Sequence, residues 1–434
     1  MNASWSHMLL GDLIELKRGY DLPKKQRVAG HVPLISSAGL SDCHDEAKVK
    51  GPGVITGRYG TIGEVFYIKD DFWPLNTTLY VKDFKGNHPK FIYYFLKTIN
   101  YLQFSDKAAV PGVNRNHLHK ASILVPLNID EQKQIAKILS DLDDKIHLNN
   151  QINQTLESIA QALFKSWFVD FDPVRAKIAA KQEGKDSELA AMCIISGKSE
   201  DEIQQMPEGD FAELQATAAL FPDELVESEL GEVPKGWDAI TLGNFLEIKR
   251  GGSPRPIQNF MAPTGYPWVK IADATADPSP FLFKTKEFII KEGLRKTVYL
   301  KKGSLILTNS ATPGLPKFLE LDACIHDGWL YFPQKKHFSD NYLYFLFLKL
   351  RTQLVAQGNG SVFTNLKTDI LRNQVVLVPT REVIEKFDLQ VGKILEMMKT
   401  QCIQSSNLSD LRDTLLPKLL SGKVSVLGFQ GEVA

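Results

Sequence analysis

The chain carries one stretch of sequence twice. WSHMLLGDLIELKRG, residues 5–19, corresponds at a constant offset of 232 to WDAITLGNFLEIKRG, residues 237–251. The Trp, one Leu, both Gly and the Glu, Lys and Arg are identical, and the apolar positions between them stay apolar. Self-similarity over such a separation is typical of a duplicated structural unit. The stretch therefore predicts two copies of one domain.

Later features of the first copy recur in the same order in the second. The corresponding segments are 33–35 and 267–269, 53–61 and 303–310, 79–81 and 330–332, 91–96 and 342–347, and 123–126 and 376–379. The offset grows along the chain, which indicates loop insertions in the second copy. Within each copy, short apolar runs alternate with turns rich in Gly, Pro and Asn. This pattern predicts mixed, mostly-β domains with a few helices.

Each copy is followed by a long helical pattern. Residues 130–169 contain no Gly or Pro and place apolar residues three or four positions apart, and 381–420 has a similar stripe. At about 1.5 Å per residue, each pattern gives a helix of about 60 Å. We expect Asp130 to cap the first helix. We expect the two helices to pair as an antiparallel coiled-coil rod. The alternative is that each helix packs on its own domain.

Polar residues interrupt both helical stripes near their middle. They are Asn149, Asn150 and Asn153 in the first stripe and Ser405, Ser406 and Asn407 in the second. Polar residues at buried positions between paired helices set their register at a cost in stability. The same residues could equally face solvent. The fold class predicted from these patterns is α+β, with two duplicated domains separated by two long helices.

The composition is that of an ordinary globular protein. The chain has 434 residues, 43% of them hydrophobic, and its 51 basic and 51 acidic residues balance. One segment, 181–235, holds 4 basic and 14 acidic residues, so the remainder is moderately basic. The apolar runs are too short to span a bilayer, and we expect no secretory signal. The cysteines lack a C-x-x-C pair, which favours free thiols in a reducing cytosol.

A search for catalytic motifs finds no phosphate-binding loop, zinc-protease motif or dinucleotide-binding motif. An Asn-Pro-Pro-aromatic motif is absent as well. Asp170 and Asp172 stand before Pro173 at a helix end, where capping or packing is the favoured role. His117 and His119 are two positions apart, which is not a helical ligand spacing, and we expect them on a loop or strand. The sequence therefore predicts a chain without catalysis or a metal site.

Several loops carry side chains suited to reading DNA. Arginine can bind guanine and asparagine can bind adenine in the major groove, and Lys and Arg can contact phosphates. Each loop taken singly is better explained by turn chemistry, but the loops fall at corresponding places in both copies, which favours a function. The candidates are Lys17, Arg18, Arg58, Tyr59, Thr61, Asn114, Arg115 and Asn116 in the first copy, and Lys249, Arg250, Asn309, Ser310, Thr312, Thr364, Asn365 and Lys367 in the second.

Three further strings carry a family resemblance. They are LFKSWFVDFDPV at 163–174, GEVPKGW at 231–237 and Glu131-Gln132-x2-Ile135. Together with the order domain, helix, domain, helix, they resemble the specificity subunit of type I restriction-modification enzymes. The resemblance covers nearly the whole chain. It implies target-recognition domains at 1–128 and 236–379, a central spacer helix at 129–172, an acidic connector at 173–235, and a distal spacer helix and tail at 380–434.

The resemblance also implies a mechanism and partners. Each recognition domain would read one half of a split, asymmetric target in double-stranded DNA, and the helices would set the unread gap. The paired helices, with Trp167, Phe168 and Phe171, would dock two methyltransferase subunits, which use S-adenosylmethionine to methylate adenine N6. Translocase-nuclease subunits would join for restriction. This cytoplasmic chain would itself hold no cofactor, with ATP and magnesium also belonging to the partners. The alternative is an adaptor whose duplicated domains bind protein or carbohydrate.

Overall fold

The computed structural model describes residues 5–106, 112–357 and 366–426. The chain divides into two compact units. Unit 1 comprises residues 1–150 and 403–434, and unit 2 comprises residues 151–402. Both boundaries fall inside long helices, so each of these helices contributes to both units.

Unit 1 contains eleven strands and three short helices among its described residues. In chain order these are β1 (Trp5–Leu9), α1 (Leu10–Leu13), β2 (Glu15–Arg18), β3 (Val32–Ser36), β4 (Gly39–His44), β5 (Gly53–Gly57), β6 (Val65–Ile68), β7 (Trp73–Pro74), β8 (Thr78–Asp83), α2 (Pro89–Lys97), β9 (Ser105–Asp106), β10 (Gly112–Val113), α3 (Arg115–His119) and β11 (Ser122–Pro126). The long helix α4 (Ile129–Phe168) follows them.

The main sheet of unit 1 has the strand order β2-β8-β5-β6 and is antiparallel throughout. Strand β3 pairs antiparallel with β4 and parallel with β7, where Leu34 lies opposite Trp73. Strands β1 and β11 form a separate antiparallel pair. Helix α2 buries a run of aromatic and aliphatic side chains in the core that this sheet shares with the first turns of α4. Apolar burial of this kind is the main force that holds the unit together.

Unit 2 continues the chain. Its elements are α5 (Asp172–Gln182), α6 (Ser187–Ser196), α7 (Glu200–Gln204), α8 (Glu208–Ala219), β12 (Leu225–Ser228), β13 (Gly231–Pro234), β14 (Asp238–Thr241), β15 (Leu246–Arg250), β16 (Met261–Ala262), β17 (Tyr266–Val269), α9 (Ile271–Ala276), β18 (Phe281–Leu282), β19 (Phe288–Ile289), β20 (Val298–Leu300), β21 (Leu305–Thr308), β22 (Pro316–Leu319), β23 (Ala323–Ile325), β24 (Trp329–Lys335), α10 (Asp340–Gln357), α11 (Thr368–Arg372), β25 (Val375–Val378) and α12 (Arg381–Leu419).

The sheets of unit 2 repeat the topology of unit 1. The order β15-β24-β21-β22 repeats β2-β8-β5-β6, with β18 added at one edge. Strand β17 runs parallel to β23, with Trp268 opposite Cys324, as β3 runs parallel to β7. The pair β14-β25 repeats β1-β11. The prediction of duplicated, mixed domains is therefore confirmed, and the insertions lie in the second copy.

The two long helices run antiparallel in both units. In unit 1, Asp143 of α4 accepts a hydrogen bond from Arg412 of α12 at 2.7 Å. In unit 2, Asn153 donates to the sulfur of Cys402, and the ring of Trp167 lies 6.1 Å from that of Phe387. Residue numbers rise along one helix as they fall along the other, which confirms the predicted pairing. The ends of the helices also pack on the domain cores, so part of the alternative holds as well.

The start of α4 is fixed differently from the sequence-based expectation. Asn128, and not Asp130, caps the helix, because its side-chain oxygen accepts from the Asp130 N–H at 2.8 Å. Gln132 is buried, and its amide nitrogen donates to Asn87 and to the Pro126 carbonyl. Glu131 accepts from the Trp5 indole at 2.9 Å. The Glu-Gln pair therefore ties the helix to its domain.

The polar interruption between the helices is partly buried. Asn149 is fully buried, and its amide nitrogen donates to Gln404 at 2.9 Å and to Ser405 at 3.3 Å. Asn150, the next residue, is exposed. The two alternatives for these polar residues were burial between the helices and exposure to solvent. Asn149 and Ser405 are buried, while Asn150 faces solvent.

Candidate nucleic-acid interface

In unit 1 the first candidate loop leaves the end of β5. The Gly57 N–H donates to the Glu64 carbonyl at 3.0 Å, which closes the loop. A Cβ at Gly57 would lie 1.9 Å from the Thr61 carbonyl oxygen, so this position requires glycine. Within the loop, the guanidinium of Arg58 stacks over the Tyr59 ring at 4.4 Å. The loop therefore presents a stacked cation and an aromatic ring, with Thr61 exposed beside them.

A second candidate segment packs beside this loop. The Val113 N–H donates to the Arg58 carbonyl at 3.0 Å, which brings α3 next to Arg58. Asn114 caps α3 by accepting from the Asn116 N–H at 2.9 Å, so its side chain is engaged in the fold. Arg115 and Asn116 are exposed. The structure thus brings the two predicted segments of the first copy together.

The two histidines of this segment lie on α3, so the expectation of a loop or strand was wrong. The Nε2 atom of His119 accepts a hydrogen bond from the Leu16 N–H at 2.9 Å. Burial and the nearby positive charge of Arg115 lower the pKa of His119. Such a neutral ring serves as a structural acceptor. Among the described residues, no group of three His, Cys, Asp or Glu side chains could hold a metal ion.

The basic pair of β2, Lys17 and Arg18, lies at the same end of the sheet as these loops. The Gly19 N–H donates to the Thr78 carbonyl, and the Arg58 N–H donates to the Thr77 carbonyl. The end of β2 and the loop after β5 therefore both contact the start of β8. Arg18 is exposed and contacts Asp21 at 3.3 Å. Lys17 lies over the Tyr20 ring at 5.4 Å. The first copy therefore gathers its basic candidates at one end of one sheet.

Unit 2 builds the corresponding loop with the same backbone bonds. The Thr308 N–H donates to the Leu315 carbonyl at 3.0 Å, and the Asn309 N–H donates to the Gly328 carbonyl at 2.8 Å. Ala311 has a positive φ of 58°, where unit 1 has Gly60 at 80°. The two loops are therefore equivalent in geometry although their sequences differ.

The side chains of the second loop are less available than those of the first. Asn309 is only 3% exposed, and its amide nitrogen lies 3.4 Å from the Asp327 carbonyl. The Thr312 hydroxyl is buried, and Ser310 is half-buried. Lys367 is exposed at the start of α11. The predicted residues Thr364 and Asn365 lie outside the described residues.

The basic pair of β15 matches that of β2 in register. Lys249 pairs with Tyr331 and Arg250 with Leu330, as Lys17 and Arg18 pair with Tyr80 and Leu79. Both Lys249 and Arg250 are exposed. Lys249 forms an ion pair with Glu247 at 2.7 Å, and Arg250 donates to the Asp327 carbonyl. Each unit therefore places two basic residues at the same end of its main sheet.

The family model for the type I restriction modification DNA specificity domain matches residues 2–158 and 234–407, about three quarters of the chain. The chain belongs to this family. It is a specificity subunit of type I restriction-modification systems, with duplicated recognition domains. The family is non-catalytic. The model's two matched segments correspond to the two copies in the sequence.

Curated relatives agree with this assignment. The HindI specificity subunit of Haemophilus influenzae is 32% identical over 77% of this chain and 77% of its own length. The MjaIX specificity subunit of Methanocaldococcus jannaschii is 25% identical over 90% of this chain and 82% of its own. A type I S subunit from M. genitalium, solved by crystallography, aligns over 96% of both chains at 15% identity with a TM-score of 0.58, which supports the fold.

The aromatic residues predicted to dock partners lie inside unit 2 of the specificity subunit. Trp167 and Phe168 are 0% and 2% exposed, and Phe171 is 8% exposed. Their rings pack against Phe221, Trp237, Tyr342 and Phe387. A partner could contact these rings only if this packing opened.

Sequence reasoning did not single out three polar residues at the sheet ends that carry the candidate residues. Asp21 follows β2, Asp327 precedes β24, and Arg255 contacts Asp327. A signal was available for Asp21 alone, because Asp21 and its counterpart at the repeat offset, Ser253, both follow the basic pair. No helix within the described ranges is long and apolar enough to cross a membrane.

Proposed function

We propose that each recognition domain of this specificity subunit reads one half of a bipartite, asymmetric target in double-stranded DNA. The observation that carries the proposal is the matching placement of basic and polar side chains at one sheet end in each unit. In unit 1 Arg115 is exposed there and Arg58 is half-buried, and in unit 2 Arg250 and Lys367 are exposed. Phosphate contacts position a protein on DNA, whereas contacts to base edges specify sequence.

The two kinds of contact are assigned to different residues. Lys17, Arg18, Lys249 and Arg250 occupy equivalent strand positions in both domains, and a residue shared by both domains suits the sequence-independent phosphates. The loops differ between the domains, as base readers of two different half-sites must. In the first domain, Arg58, Tyr59, Thr61, Arg115 and Asn116 are the base-reading candidates.

The paired helices are proposed to fix the spacing between the half-sites. We assign recognition to 1–128 and 236–379, spacing to 129–172 and 380–434, and a connecting role to the acidic segment 173–235. The buried Asn149 supports a fixed register between the helices. Half-sites read from one face of DNA lie about one helical turn, roughly 34 Å, apart.

The specificity subunit is proposed to act in a complex with two methyltransferase subunits and with translocase-nuclease subunits, in the cytoplasm. S-adenosylmethionine, ATP and magnesium would be bound by those partners. Methylation of adenine N6 requires the base to leave the stack, which the methyltransferase would carry out. The specificity subunit supplies sequence recognition alone.

A map of modified bases in host DNA tests the proposal. The chain is expressed with the methyltransferase encoded beside it, and the control omits the chain. The expected result is a split motif containing methyladenine that appears only when the chain is present. If the complex assembles and no new methylation appears, the proposal is wrong.

A further inference from the structure

The second recognition domain needs base-reading side chains other than those of its predicted loop. Asn309 is enclosed, so its amide cannot reach a base edge in this conformation. Beside it, however, lies a cluster formed by the half-buried Asp327, on the segment between β23 and β24, with the half-buried Ser253 and the exposed Arg255. The Gly328 carbonyl that accepts from the Asn309 N–H is adjacent in sequence to Asp327. The cluster is therefore at the same sheet end as the loop.

Asp327 is the centre of this cluster. Its Oδ1 accepts from the Ser253 hydroxyl at 2.8 Å, and its Oδ2 lies 3.4 Å from Nη2 of Arg255. Burial alone would raise the pKa of Asp327. The hydrogen bond from Ser253 and the electrostatic influence of His326, Arg250 and Arg255 outweigh that effect, so its pKa lies below the ordinary value. The carboxylate is thus ionised, and the Arg255 side chain beside it is 80% exposed.

Unit 1 builds an equivalent pair from different residues. Asp21 stands at the position of Ser253, and Asn76 stands at the position of Asp327, because Leu75 and His326 donate to the corresponding carbonyls of Ile35 and Val269. Asn76 donates to Asp21, which Arg18 also contacts at 3.3 Å. The two pairs differ in both members, because the carboxylate comes from another segment and Arg18 corresponds to Arg250, not to Arg255. Each domain nevertheless has a guanidinium–carboxylate pair at this place.

Arg255, unlike Arg18 and Arg250, has no basic counterpart in the other domain, because Pro23 stands at the equivalent position. A contact specific to one domain suits a base edge better than the phosphates, which are the same in every sequence. The major-groove edge of a G·C pair offers a hydrogen-bonding partner to each member of the Arg255–Asp327 pair. Guanine presents O6 and N7 as acceptors for Arg, and cytosine presents its N4 amino group as a donor to Asp.

We infer that Arg255 and Asp327 together read a G·C base pair in the half-site recognised by the second domain. Arg255 donates to guanine, and Asp327 accepts from cytosine while holding the guanidinium in place. The inference rests on the proposed function and makes Arg255 and Asp327 specificity-determining residues.

The test is the modified-base map with two variants and one control, each chain expressed with the methyltransferase. Arg255→Gln and Asp327→Asn alter the pair while retaining polar side chains. Arg381→Gln is the matched control, since Arg381 is an exposed arginine of the same unit that pairs with Glu385 at 2.9 Å at the start of α12. The readout is the base composition at each position of the methylated motif.

The expected result for Arg255→Gln is a loss of preference, by about ten- to a hundredfold, at one G·C position of one half-site. The other half-site stays unchanged, Asp327→Asn relaxes the same position, and Arg381→Gln retains the full motif. An unchanged motif in Arg255→Gln overturns the inference, as does a uniform fall in methylation with the motif intact, which indicates a phosphate contact. If the unaltered chain adds no methylation, the proposed function itself fails, and the inference with it.

Discussion

The amide nitrogen of Asn149, on α4, donates a hydrogen bond to the side-chain oxygen of Gln404, on α12, at 2.9 Å. Asn149 is fully buried, and its second bond, to Ser405, is enclosed, whereas the bond to the exposed Gln404 is partly shielded from water. A buried polar contact between two helices favours one register, because any slip leaves the amide unpaired. The contact links local packing to the proposed role of the helices in spacing.

Replacing Asn149 with Ala should destabilise the chain. The change deletes one buried and one partly buried hydrogen bond, and we expect the free energy of unfolding to fall by about 1–2 kcal/mol. Asn150→Ala is the control, because Asn150 is the exposed neighbour on the same helix. Urea unfolding followed by circular dichroism measures both. Equal midpoints for the two variants would contradict the account.

A second contact of the helix pair should also respond to mutation. Asp143 accepts from the Tyr94 hydroxyl and from Arg412, both at 2.7 Å, and the Tyr94 ring is buried. Asp143→Asn removes the charge that compensates Arg412 and should cost about 1–3 kcal/mol in the free energy of unfolding. The neighbouring Asp144 is mainly exposed, so Asp144→Asn should change the unfolding midpoint little. A larger effect at Asp144 would refute the assignment.

Asp388 should make stability depend on pH. Burial raises its pKa to about 6, while the hydrogen bond from Ser339 acts in the opposite direction and repulsion from Asp340 and Glu385 adds to the rise. Since the folded-state pKa lies above the unfolded one, the stability contributed by protonation is present at low pH and is lost as pH rises through about 6.

Asp388→Asn should therefore be more stable than the unaltered chain at pH 7.5, by about 1–2 kcal/mol, and the gain should shrink towards pH 4. Thermal unfolding across this pH range measures the difference. Asp410→Asn, at an exposed position of the same helix, serves as the control. A gain for Asp388→Asn that did not vary with pH would argue against a raised pKa.

Lengthening both helices together should lengthen the unread gap. Inserting four residues after Asn150 and four after Cys402 adds about 6 Å to the helix pair, which corresponds to about two base pairs. The motif in a modified-base map should keep both half-sites and gain about two unread positions. An unchanged gap in an assembled, active complex would refute the spacing role.

The sequence predicted the architecture well for identifiable reasons. The long Gly- and Pro-free stripe gave α4 to within two residues, and the repeat anticipated that β15 would match β2 in its pairing. The cap of α4 and the short helix α3 were not predicted, because the sequence does not distinguish between the alternatives at these places. Asn128 and Asp130 are both good caps, and a five-residue helix such as α3 is too short to show a periodicity.

The candidate site was predicted in outline and missed in detail. Two corresponding loops were found because turn chemistry repeats between the copies. The enclosure of Asn309 and the exposure of Arg255 arise from tertiary packing, which residue type does not reveal. Likewise, an aromatic residue such as Trp167 at a helix end suits a core and a docking surface equally well, and the structure places it in a core.

The most direct test of the central claim is a modified-base map of the complex carrying Arg58→Gln. Arg58 lies in unit 1, stacked on Tyr59 at the exposed loop, so the account predicts relaxed base preference in one half-site and an intact second half-site. The unaltered chain and Arg381→Gln, measured in parallel, should give the complete motif. Relaxation in both half-sites, or in the same half-site as Arg255→Gln, would contradict the claim that each domain reads its own half.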